Sequence, residues 1–160
     1  MTRTFLSGPR RAICRITRLS TVLVMTCCCA CVYALETLAA PPFVILYPDS
    51  DPALAQRSLD SLQAITFDLD HHLPVGDAPI TVVICGTIED FRRYAGSYGR
   101  YGVGGVAQSQ EGVIVVRAPA ISQGNADFAG TLRHELVHVL LARNVDLVNV
   151  PRWLNEGLAM

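Results

Sequence analysis

The chain has 160 residues, of which 51% are hydrophobic and 17% charged; this is the composition of one globular domain with a short appendage and excludes a disordered chain. The net charge of −1 is unevenly spread: all thirteen basic residues are Arg, and five of them (Arg3, Arg10, Arg11, Arg15 and Arg18) lie in the first 18 residues. From residue 35 onward eight Arg face fourteen acids, a balance of −6, and this mildly acidic body excludes the electrostatic footprint of nucleic-acid binding.

Residues 1–40 read as an address. The Arg-rich stretch is followed by 17 uncharged, mostly apolar residues at 19–35, and then by small residues at Ala39 and Ala40. A positive start, an apolar centre and a small-residue exit form the layout of a secretory signal peptide, with cleavage after Ala34 or near Ala39 or Ala40. The run is also at the lower limit for spanning a bilayer, so an uncleaved N-terminal membrane anchor through residues 19–35 is the alternative, its basic end cytoplasmic. Either reading places residues 41–160 outside the cytoplasm, as a periplasmic, secreted or membrane-anchored domain. Cysteine follows the same division: Cys14, Cys27, Cys28, Cys29 and Cys31 are N-terminal and Cys85 is alone in the body. The body therefore has no internal disulfide and depends on its core and on any metal it binds.

Within the body, residues 43–47 form a short apolar run closed by Pro48 and Asp49, a strand and a turn. Leu54, Leu59, Leu62, Ile65 and Leu69 recur at three- to five-residue spacing, which predicts an amphipathic helix over residues 52–72 with Asp51 as N-cap. Residues 80–85 are apolar apart from Thr81 and read as a central strand in which Cys85 is a small buried hydrophobe. Thr87 is suited to cap a short helix over residues 88–95, with Glu89 and Asp90 in its first turn. Residues 96–105 hold five glycines but no phosphate-binding spacing, and read as a surface loop. Val106 and Val113–Val116 flank a turn at residues 110–112, which predicts a hairpin. A longer helix is expected from Asn125 or Asp127 to about Arg143, with Leu132, Leu136, Val139 and Leu140 on its apolar stripe and Asn144 just past its end. Pro151 suits the first turn of a last helix. His71 and His72 read as a solvated helix end.

The chemistry lies in the last two helices. His134, Glu135, Leu136, Val137 and His138 form an H-E-x-x-H pattern. Residues four apart share a helix face, so His134 and His138 can reach one zinc ion. Glu135 stands beside the open position of such a metal, where a carboxylate takes a proton from water whose pKa zinc has lowered. Two imidazoles leave zinc short of a protein ligand. Glu156, 18 positions after His138, supplies a carboxylate from the next helix, completing a His₂Glu set.

The segments 131–140 and 151–159 resemble the gluzincin metallopeptidases, specifically their small peptidase MA-like domains, and the upstream order of strands and helices extends the likeness over residues 43–160. The resemblance implies an α+β, thermolysin-like zincin subdomain, a small mixed sheet with an active-site helix. It implies Zn²⁺ held by His134, His138 and Glu156, with Glu135 as general base. It also implies a peptide or protein substrate lying along a sheet edge formed by 103–109 or 113–116. Family members continue past the ligand helix into a helical lower half that supplies an oxyanion-stabilising Tyr or His. Met160 follows Glu156 by four residues, so a C-terminally truncated domain is expected. The competing expectation is a catalytically inactive, zinc- or peptide-binding envelope module.

Overall fold

A computed structural model of the chain describes residues 35–99, 102–122 and 127–160, all of them in one compact unit. The fold is α+β. Strands β1 (Leu35–Ala40), β2 (Phe43–Pro48), β3 (Ile80–Cys85), β4 (Gly105–Gln108) and β5 (Val113–Arg117) form one sheet in the order β1-β2-β3-β5-β4. The pairs β2–β3 and β3–β5 are parallel, while β1–β2 and β4–β5 at the two margins are antiparallel. Among the described residues four α-helices accompany it: α1 (Pro52–Leu69), α2 (Ile88–Ala95), α3 (Phe128–Asn144) and α4 (Arg152–Ala159).

Alternation along the strands divides the interior into two layers. Ile80, Val82 and Ile84 of β3, with Phe43, Ile45, Ile114 and Val116 of the neighbouring strands, meet Leu54, Leu59 and Leu62 of α1 and Leu132, Leu136, Val139 and Leu140 of α3. Val83, Cys85, Val106 and Val115 point the other way, against Phe91 and Ala95 of α2. Cys85 is fully buried, as its place in an apolar central strand requires.

Helix starts follow local chemistry. Asp51 Oδ1 accepts from the Leu54 N–H at 2.9 Å, and Thr87 Oγ1 accepts from the Asp90 N–H at 3.0 Å, each satisfying one donor the first turn leaves open. Pro52 occupies the first turn of α1, where a missing N–H costs nothing. The hairpin turns through Glu111 N–H to Gln108 O and a positive φ of 67° at Gly112.

Leu35–Ala40 pairs along its whole length with β2, and two details of the helices differ from the sequence reading. Leu38 and Ala40 pack on the α1 side of the core. The first helix ends at Leu69, three residues before His72. Asn144 stays inside α3, since its side chain donates to Leu140 O and Pro74 O and the residue after it is extended. The leader or anchor assigned to residues 1–34, and the helix start at Asn125, lie outside the described residues. Among the described residues no helix is long and apolar enough to cross a membrane.

Candidate metal centre

Helix α3 is buried on two sides, which explains why its apolar residues exceed one stripe. Leu132, Leu136, Val139 and Leu140 face the sheet, whereas Val137 and Leu141 pack against Ala159 of α4 and Leu147. Docking α4 there sets Glu156 over the turn of α3 that carries His134 and His138. One ligand atom from each of the three residues lies within 4.8 Å of the others, a group that can hold a metal ion.

The hydrogen bonds of the two imidazoles define what they offer. His134 Nδ1 is 3.1 Å from the backbone carbonyl oxygen of Ala159, and His138 Nδ1 is 2.8 Å from Asn155 Oδ1. Both partners are acceptors, so each Nδ1 carries the proton and donates it. The tautomer that donates from Nδ1 presents its lone pair at Nε2. Those two Nε2 atoms converge at 3.1 Å. Glu156 Oε2 completes the triangle at 3.7 Å from His134 Nε2 and 3.8 Å from His138 Nε2. Ligand atoms of a tetrahedral zinc shell, with bonds of about 2.0–2.1 Å, stand about 3.3 Å apart. Three electron-pair donors that face one another at nearly this spacing suit a cation at their centre.

The three donors differ in exposure. His138 is buried, His134 is one-third exposed, and the Glu156 side chain is 47% exposed. Arg152 Nε approaches Glu156 Oε1 at 4.0 Å from a fully solvated position, a pair too long and too exposed to contribute much. It leaves Oε2 turned to the imidazoles.

Glu135 belongs to the wall of an adjoining cavity rather than to the donor triangle. The cavity, of about 530 Å³, lies between the start of α3 and the chain entering β4, and is lined by Gly102, Gly104, Gly105, Thr131, His134 and Glu135 among others. Glu135 is 7% exposed. Burial pushes its carboxyl above the ordinary carboxylate range; His134, His138 and a backbone hydrogen bond from Ala107 pull the other way, and Glu156 adds a smaller upward push.

The structure brings His134, His138 and Glu156 together and sets Glu135 beside them. His71 and His72 are exposed at the end of α1, outside this group. Sequence reasoning missed the groups that orient the imidazoles. Asn155 adjoins Glu156 and is the one of the two that a sequence can flag; the Ala159 carbonyl carries no side-chain signal at all. It also left open which hairpin strand is outermost, and this is β4. No protein-family model matches the chain, and no curated protein does either.

Proposed function

We propose that this protein is a zinc-dependent metallopeptidase of the gluzincin type with a thermolysin-like site, hydrolysing peptide bonds in a peptide or protein substrate outside the cytoplasm. The observation that carries this reading is the convergence of two imidazole Nε2 atoms and one carboxylate oxygen, next to a buried carboxylate on the same helix turn. His₂Glu is a catalytic zinc set that leaves a fourth position for water or substrate.

When bound, the metal supplies Lewis acidity, polarising a scissile carbonyl and lowering the pKa of water. The remaining work falls to the chain's own residues. Asn155 and the Ala159 carbonyl hold the rings of His138 and His134 so that Nε2 faces inward. Glu135, in the cavity wall, accepts a proton from the attacking water and returns it to the leaving amine. The substrate occupies the cavity beside His134 and Glu135, along the outer strand β4.

Zinc content of the purified protein, with hydrolysis of a mixed peptide library, tests the reading. Stoichiometric zinc with metal-dependent cleavage supports it. Zinc or peptide binding without turnover identifies a binding module, and absence of zinc binding removes the site altogether.

A further inference from the structure

We propose that Gly105 and Thr131 are positioning residues for Glu135: the empty side-chain position at Gly105 lets β4 settle onto α3 closely enough for the Ala107 N–H to hold the Glu135 carboxylate. The catalytic consequence rests on the peptidase reading; the placement itself does not.

Space, not backbone conformation, requires glycine at 105. Its φ is not positive, unlike that of Gly102 or Gly112. A Cβ built on Gly105 would lie 2.8 Å from Thr131 Cγ2, 2.9 Å from Glu135 Cγ and 3.0 Å from Glu135 Oε1, whereas carbon atoms in contact stand about 3.5–4.0 Å apart. Of the other glycines in the same wall, Gly130 is crowded only by the side chain of its helix-start neighbour Asp127, at 2.5 Å from Oδ2, and not by Glu135. At Gly104 the nearest atom would be Thr131 Oγ1 at 3.5 Å, and at Gly102 nothing lies within 4 Å. The neighbours of Gly105 cannot easily yield. Thr131 Oγ1 donates to the Asp127 carbonyl at 3.0 Å, which pins a χ1 already stiff from β-branching. Glu135 is buried and meets the position with its mid-chain Cγ, not a freely swinging tip.

The direction of β4's hydrogen bonds gives the close approach its purpose. Arg117 N–H donates to Gly104 O at 3.0 Å, and Gly105 stands opposite Val116. In an antiparallel ladder the bonded pairs alternate, so Val106 and Gln108 turn their N–H groups to β5 while Gly105 and Ala107 turn theirs outward. Among the described residues no strand lies beyond β4. The Ala107 N–H, turned away from β5, bears on the Glu135 carboxylate and favours its ionised form.

The test compares wild type, Gly105→Ala and Gly105→Ala/Thr131→Ser, with three readouts: zinc affinity, the split between kcat and KM on a cleaved peptide, and hydrogen exchange of the Ala107 amide. Thr131→Ser keeps the hydroxyl on Asp127 and deletes the methyl closest to the new Cβ. Gly105→Ala is expected to retain zinc, lose protection of the Ala107 amide, and lower kcat by about 10- to 100-fold, the size of effect a misplacement near 1 Å produces. The double variant is expected to recover both protection and kcat. Unchanged Ala107 exchange in Gly105→Ala would overturn the proposal, as would a double variant no better than the single one. If Gly105→Ala does not fold, the double variant alone decides, by whether its Ala107 amide is protected as in wild type. A wild-type protein that binds zinc but cleaves nothing would end the peptidase reading, while the amide exchange would still judge the placement.

Discussion

His134 and His138 point their Nε2 atoms at each other across 3.1 Å, and both rings are held in that orientation by oxygen atoms of α4. Two lone pairs facing in this way repel unless a cation lies near them. The site therefore couples metal binding to the docking of α4 on α3. Zinc is expected to raise the melting temperature, and chelation to lower it again. With free zinc at a hundredfold excess over Kd the stabilisation is about 2.7 kcal/mol, a shift of several degrees for a domain of this size. His138→Ala and Glu156→Gln should each abolish the shift, which differential scanning fluorimetry with and without zinc would show.

Asn155 orients the more buried imidazole, its side-chain Oδ1 accepting from His138 Nδ1 at 2.8 Å. Asn155→Ala is expected to weaken zinc affinity by about 10- to 100-fold, the usual cost of removing such a partner. Asn155→Asp, which keeps an acceptor oxygen at the same place, should retain most of it. Competition titration against a chromogenic chelator separates the two variants.

Arg143, at the end of α3, donates to the carbonyls of Val75, Ala78 and Pro79 at 2.8–2.9 Å. These bonds fasten the loop before β3 to the helix that carries the site. Arg143→Met should destabilise the fold by about 1 kcal/mol, since it strips a charged donor from three carbonyls of which that of Val75 is partly buried. Urea unfolding of both proteins measures the difference.

Much of this architecture was legible because it rests on local signals. The i,i+4 pair of His134 and His138, the caps at Asp51 and Thr87, and the turn at Gly112 each depend on residues within one or two turns of chain. What was not legible depends on partners distant in sequence. The strand at Leu35–Ala40 is defined by its pairing with β2. The outer place of β4 follows from the parallel pairing of β5 with β3. Asn144 reads as a residue past a helix end, yet a carbonyl 70 positions earlier, that of Pro74, gives its side chain a reason to remain helical. The contact of Gly105 with Glu135 spans 30 positions and has no local trace.

Cys85 combines full burial with a thiol pushed up to about 12, by burial first and by Asp90 second. An acid whose folded pKa is raised contributes stability that is complete below its ordinary value of 9.0 and is lost as pH rises from there through about 12. Stability is therefore expected to fall over this alkaline window, and Cys85→Ala should flatten that part of the curve. In the native protein at pH 8 the thiol should resist iodoacetamide, and in urea it should react, as read by mass spectrometry of the peptide containing Cys85.

Glu135→Gln tests the central claim most directly, because it changes one oxygen to an amide nitrogen in the cavity wall and leaves His134, His138 and Glu156 in place. Zinc content and peptide hydrolysis should be measured on the same preparations. The account predicts stoichiometric zinc in both proteins and a fall in kcat of about 10²- to 10⁴-fold, the usual contribution of a general base. Equal turnover by wild type and Glu135→Gln, with zinc bound in both, would contradict it.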